Sequence, residues 1–306
     1  MTFCCYVFTL VSFSYIIHFM QMVSGDSKKK KIRKKIFLWS IYFFAAMGFM
    51  FSGVFVAMHF NLTNVQGSID SLSQHFNATQ SESARKNEAQ KTVQYWATTQ
   101  DWKVISAGFI KDKDLISKAS QQSGVPSRVI ISSIVSEQFR YFNSNREAFK
   151  SIFEPLQILG NSTQFSYGIA GIKIGTAKTV EKNLKDKTSP YYLGPYYEHA
   201  LDFTTSDPDT ERMKRLTDPN KYYYSYLYTG LLLKEEMTQW KNDGYPIDNR
   251  PEILATLFNL GFAHSTPNPD PKTGGATITI NKHNYTFGGL AFDFYYSNEL
   301  TQYFPN

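Results

Sequence analysis

The sequence predicts a mainly α fold with a small β component, preceded by a transmembrane helix and a stalk. Three observations carry this prediction. Ile36 to Phe60 is a run of 25 residues without Asp, Glu, Lys or Arg; Asn61 to Trp102 is rich in Ser, Thr, Gln and Asn; and most of the remainder shows helical periodicity with start and stop signals. With 306 residues, 42% apolar and 19% charged, the chain has enough apolar side chains to bury a core, which excludes wholesale disorder. Its two cysteines are adjacent, Cys4 and Cys5, so the body has neither a disulfide framework nor thiolate chemistry.

The net charge of +6 is local. Seven Lys/Arg and one acid, Asp26, precede Ile36; from there on, 25 basic residues face 25 acidic ones. A neutral body offers no broad basic face, so nucleic acid is not an expected partner. Residues 1–35 thus comprise an apolar segment, Thr2 to Ser24, and a polybasic run, Lys28 to Lys35. The apolar segment is either a further span or an over-long gene start, with Met20 or Met22 as the true first residue. The run at 36–60 is long enough, at about 1.5 Å per residue, to cross a hydrocarbon core of about 30 Å as a helix. The Lys/Arg cluster at its N-terminal end belongs on the cytoplasmic side. The expected location is therefore the cell membrane, single-pass or two-pass, with the C-terminal domain extracytoplasmic.

Residues 61–102 read as a stalk or linker. Val65, Ile69, Leu72 and Phe76 keep a 4-3-4 helical spacing, and beyond Phe76 the seam is lost and a flexible spacer is expected. The folded domain is expected at 103–306. Asp112 or Asp114 can cap a helix through Gln122; Gly124 ends it, and Pro126 opens a second helix running to about Phe142. Thr176–Leu184, Tyr222–Trp240 and Pro251–Phe262 also read as helices, and Ala276–Tyr285 alternates as a hairpin or extended arm. Lys185 to Pro219 lacks a period, is dense in Tyr, Pro and Asp, and reads as a long packed insertion.

On the second helix, Ile130, Ile134, Glu137 and Tyr141 share one stripe, which places a carboxylate where the pattern expects core. A buried carboxylate needs partners or a raised pKa, and a carboxylic acid protonated near neutrality is what a general acid requires. The plainer alternative is a Glu at a helix end paired with Arg140 or Arg146.

The surroundings of Glu137 resemble those of the soluble lytic transglycosylase and goose-type lysozyme family. Leu115 to Phe139, LISKASQQSGVPSRVIISSIVSEQF, is similar to that family's opening helix pair, which ends in Glu-Ser-x-Phe. Ser166 to Ala177, SYGIAGIKIGTA, resembles its S-x-G-L-M-Q-I-x-P-x-T-A motif, and Ile253 to Gly261, ILATLFNLG, its A-L-A-A-Y-N-A-G helix. The three occur in the family's order, and the resemblance covers roughly Asp112 to Leu300. It departs at Gln138 (Ser in the family), Gly171 (Gln), Gly175 (Pro) and Phe258 (Tyr).

The resemblance implies an α+β lysozyme-like domain acting on the glycan strands of peptidoglycan. Glu137 would be the catalytic acid, then the base that closes a 1,6-anhydro ring on MurNAc. Ser166, Tyr167, Gly168, Gly171 and Asn259 would contact substrate: the first two in the groove opposite Glu137, the glycines by close backbone approach, Asn259 by a bond to Glu137 or an N-acetyl group. Such a lyase uses no metal and no cofactor. A hydrolase would want a second carboxylate across the cleft; Glu154, Glu198 and Asp202 are available and no spacing rule selects one. The expected function is thus a membrane-anchored lytic transglycosylase, an enzyme cleaving the MurNAc–GlcNAc β-1,4 bond. The alternative is a non-catalytic glycan-binding or scaffold protein of the same fold, with envelope-complex proteins as partners. Tyr191, Tyr192, Tyr196, Tyr197 and Tyr222–Tyr224 could stack on sugars or pack the insertion. The six scattered His, and the lack of HExxH, G-x-S-x-G and Walker A patterns, exclude the corresponding chemistries.

Overall fold

The computed structural model describes residues 27–59, 68–69, 82–91, 94–142, 166–218 and 222–305. It is mainly helical and divides into two units, 1–63 and 64–306.

In the first unit, helix α1 (Ser27–His59) runs 33 residues without interruption from the basic run through the uncharged stretch. Its apolar side chains project outward: Trp39 is 75% exposed and Phe49 85%, and Ile36, Tyr42, Phe43 and Phe44 are exposed too. Side chains in α1 are described at 34–50, 52 and 53. Among the described residues no helix is long and apolar enough to cross a membrane.

The second unit begins earlier than Lys103. Strand β1 (Ser68–Ile69) pairs antiparallel with β4 (Gly274–Gly275), so Ile69 is extended rather than part of a helical stalk; Val65, Leu72 and Phe76 lie outside the described residues. Helix α2 (Glu82–Lys91), in what reads as spacer, buries Arg85, whose guanidinium lies 3.7 Å from Glu252. Trp96, in a 3-10 turn at Tyr95–Thr98, is fully buried against Trp102, Phe139 and Phe294. Helix α3 (Gln100–Lys111) starts where the Thr99 hydroxyl accepts the Trp102 N–H at 3.0 Å. The segment before Lys103 is therefore drawn into the core by aromatic burial that its polar composition hides.

Helix α4 (Lys113–Ser123) ends at Gly124 in the left-handed conformation, φ 68°, as its sequence requires. Asp112 is its N-cap by position but makes no capping bond; its Oδ2 accepts the Tyr226 hydroxyl at 3.0 Å. Helix α5 (Ser127–Phe142) is the central element. Every residue from Arg128 to Glu137 is buried, because α3, α4 and the C-terminal helices surround it. The predicted stripe holds at Ile130, Ile134 and Glu137 and breaks at Tyr141, which is 41% exposed.

Next come the short antiparallel pair β2 (Ser166–Tyr167) and β3 (Ile172–Lys173), then helix α6 (Ile174–Lys185). Within the supposed insertion lies a further helix, α7 (Pro208–Thr217). Asp207 caps it by accepting the Thr210 N–H at 3.1 Å, and Pro208 occupies the first turn. Helix α8 (Tyr223–Asn242) is buried nearly all round and packs on α4, α6, α7 and helix α9 (Pro251–Leu260). The expected hairpin forms as β5 (Thr277–Ile280) and β6 (His283–Thr286), closed by Asn281 and Lys282 at φ 48° and 68°. Ile278 and Ile280 point into the core.

Helix α10 (Phe287–Tyr296), unpredicted, closes the unit against α5 and α9. Its C-terminal end is held by Arg128, which is fully buried and uses all five of its N–H groups. Nε donates to Tyr295 O (2.7 Å), Nη1 to Glu299 O and Phe304 O (2.9 and 3.1 Å), and Nη2 to Phe294 O and Ser297 O (2.8 Å each). Burial lowers its pKa to about 10, still charged at neutral pH.

Candidate functional site

Glu137 lies one turn before the end of α5 and is 8% exposed. Two features surround its carboxylate. Arg140, one turn on, donates from Nη2 to Glu137 Oε1 at 2.7 Å, and its guanidinium sits 5.9 Å from the Phe287 ring. Across from it lies the turn between β2 and β3. Gly171 there has φ 62°, and a Cβ at this position would overlap Glu137 Oε1 and lie 2.5 Å from its Cδ. Only glycine fits, for reasons of conformation and of space.

The same turn is tied to α5 by the neighbouring side chain, since Gln138 donates from Nε2 to the Ile169 carbonyl. Ala170 and Ile172 are buried and anchor the turn from below. On the other flank, Ser136 Oγ donates to the Phe287 carbonyl at 2.8 Å, fixing the end of α5 to the start of α10. The helix end that carries the carboxylate is thus tied to a hairpin turn on one side and to a helix start on the other.

The other expected site residues are placed as follows. Ser166 and Tyr167 form β2, opposite Lys173 and Ile172, and the structure describes their backbone. Gly168, φ 67°, is a point of close approach within the protein: a Cβ would overlap the Leu216 carbonyl and lie 2.6 Å from Ser225 Oγ. Asn259 Oδ1 accepts the Ala276 N–H at 2.9 Å, so this side chain holds the entry to β5. Phe258 stacks on Phe287, 6.2 Å between centroids. Gly171, expected to approach the sugar, lies against Glu137 itself, and the pair with Arg140 is the one that the plainer reading of Glu137 expected. Sequence reasoning missed that Gln138 latches the turn, because a replacement for the family's Ser carried no signal of its own.

Of the other carboxylates, Glu198 accepts from the Tyr192 hydroxyl and pairs with Lys187 at 3.6 Å, and Asp202 pairs with Lys185 and His199, both at 2.6 Å. Those bonds hold both carboxyls below the usual carboxylate range, Glu198 through the Tyr192 hydroxyl and Asp202 through Lys185 first. Glu154 and Arg146 lie outside the described residues. Among the described residues no group of three His, Cys, Asp or Glu is arranged to hold a metal ion. Tyr191 donates to the Phe262 carbonyl and Tyr223 to Gln122, so these rings pack the body, whereas Tyr196 is 79% exposed.

No protein-family model matches the chain, and no curated protein or solved structure does either.

Proposed function

We propose that the chain is a membrane-anchored lytic transglycosylase with a lysozyme-like domain, cleaving the glycan strands of peptidoglycan through Glu137. The observation that carries this reading is the seat of the Glu137 carboxylate against Gly171, where no side chain fits. Two motifs separated along the chain meet at one carboxylate, as an acid held over a backbone-lined groove requires.

The chemistry follows from one carboxyl group. Protonated Glu137 gives its proton to the glycosidic oxygen as the bond between MurNAc C1 and that oxygen breaks, leaving oxocarbenium character at C1 and a GlcNAc hydroxyl. The MurNAc 6-hydroxyl then attacks C1, its proton passes to the Glu137 carboxylate, and a 1,6-anhydro ring closes. No water is consumed, and the acid is regenerated. The pair with Arg140 engages the carboxylate form, so this mechanism requires that pair to open when substrate binds.

The anchor is α1. Its uncharged stretch, the outward-facing Trp39, Phe44 and Phe49, and the basic run before it support a membrane seat with the second unit outside the cytoplasm. That seat would confine cleavage to wall near the membrane. A second reading, a glycan-binding scaffold without catalysis, is favoured by the Arg140 pair, which occupies Glu137 in the absence of substrate. Clearing of a suspension of purified peptidoglycan by the full chain in detergent, beside its Glu137→Gln variant, separates the two. An enzyme clears it and loses that ability in the variant; a scaffold sediments with the wall and clears nothing in either form.

A further inference from the structure

A recess of about 470 Å³, within the range of small-molecule sites, lies between α4 and the turn that follows Gly194. From α4 come Lys118, Gln121 and Gln122, which share one face at i, i+3 and i+4. From the turn come Tyr196, Tyr197 and His199.

Among the described residues of the second unit Tyr196 is the most exposed large hydrophobic side chain, at 79%. Tyr197 packs on the core and meets it edge-on, with centroids 5.0 Å apart at 85°. A large ring left in water is a stacking surface for a flat, partly apolar ligand. The polar groups around it are of one kind. Lys118 Nζ sits 4.7 Å from the Tyr223 ring, and among the described residues it has no carboxylate partner. Gln122 accepts from the Tyr223 hydroxyl, which leaves its NH2 as donor. His199 is oriented by Asp202, Nδ1 to Oδ2 at 2.6 Å. No Asp or Glu lines the recess.

An aromatic platform, two amides, the Lys118 ammonium and an imidazole oriented by Asp202 suit a ring with hydroxyl and amide substituents and a negative charge. We infer that this recess is a second saccharide site, binding an N-acetylated sugar that carries a carboxylate. This rests on the glycan reading above and deepens it: the recess gives a glycan strand a point of contact besides Glu137. The anionic sugar of such a strand would then be gripped apart from the bond being cut.

The test uses the full chain in detergent micelles carrying Glu137→Gln, so that nothing is consumed. Calorimetric titration compares the tetrasaccharide (GlcNAc–MurNAc)2 with chitotetraose, which is the same length and uncharged. Two sites for the tetrasaccharide are expected, with one lost in Tyr196→Ala. Lys118→Gln should weaken the recess site for the carboxylated tetrasaccharide about tenfold and leave chitotetraose within about twofold. Thermal melts should match the parent, since both side chains are at the surface. A single site that survives Tyr196→Ala with unchanged affinity overturns the recess and leaves the enzyme reading standing. Saccharide binding by none of the proteins overturns both.

Discussion

Replacing Arg128 with methionine removes the buried cation that holds the C-terminal end of α10. Its five bonds, all between 2.7 and 3.1 Å, go to carbonyls of Phe294, Tyr295, Ser297, Glu299 and Phe304. Hydrogen bonds to charged groups contribute about 1.5–3 kcal/mol each, so a plain sum over five would exceed the whole stability of many domains. The carbonyls are not independent, and some will find water once the C-terminal turn loosens. A buried acceptor left unsatisfied costs about 1–3 kcal/mol, so with about two of the five carbonyls stranded the expected loss is about 3–5 kcal/mol. For a domain of this size it corresponds to a fall in Tm of about 6–20 °C. Lysine, a single point donor that cannot reach five acceptors, should recover only part of it. Trp102 is a convenient reporter, since its indole N–H donates to Glu299 Oε2 at 2.9 Å on the turn that Arg128 secures. Urea unfolding followed by tryptophan fluorescence would measure the effect. A loss below about 1 kcal/mol with an unchanged m-value would show that the carbonyls are satisfied without Arg128 and refute the reasoning. Because Arg128 and Glu137 share α5, the variant should also lower any glycan cleavage before it unfolds the protein.

Two further predictions concern single residues. Gly171→Ala places a methyl group into the Glu137 carboxylate at a positive φ, so activity should fall at least about a hundredfold while stability drops by about 1–2 kcal/mol; near-wild-type turnover would mean the carboxylate can move aside at no cost. Glu236, fully buried with neither carboxylate oxygen hydrogen-bonded among the described residues, has its pKa raised well above 4.5 by desolvation. It is therefore neutral in the fold and ionised in the unfolded chain, so its contribution is complete below pH 4.5 and is lost as pH rises towards the folded value. Glu236→Met should stabilise the domain by about 1–3 kcal/mol at pH 8 and flatten the fall in stability above pH 5, as read from denaturant melts across pH; an unchanged slope would count against a buried, neutral Glu236.

Much of the architecture was legible in the sequence wherever local signals agree with tertiary demand. Gly124 and Pro126 mark the α4–α5 junction, and Pro251 and Glu252 open α9, because caps and first-turn preferences are properties of a few adjacent residues. Helix α10 was not legible. Phe287, Phe292, Phe294, Tyr295 and Tyr296 are residues of strands as much as of helices, and Gly288 and Gly289 weaken any helix. What makes it helical is the Thr286 cap, whose hydroxyl accepts the Gly289 N–H at 3.1 Å, together with packing on α5 and the grip of Arg128. Helix α7 carried a start signal, Asp207-Pro208, masked by the density of Tyr, Pro and Asp around it. In the site, periodicity alone placed Glu137 inside, and its pair with Arg140 is the one that the plainer reading, an ion pair with Arg140 or Arg146, allowed for. That Gly171 lies against the carboxylate depends on a hairpin 29 residues and more along the chain, which no local pattern specifies. Asn259 reads equally as a substrate contact or as a polar residue near a helix end, and its Oδ1 accepts from the backbone of Ala276.

The central claim is that Glu137 cuts glycan strands without consuming water, and mass spectrometry of the released fragments tests it most directly. The full chain in detergent and its Glu137→Gln variant are incubated with purified peptidoglycan. The account predicts fragments ending in 1,6-anhydro-MurNAc from the wild type and none from the variant. Fragments with ordinary reducing ends, or equal release by both proteins, would contradict it.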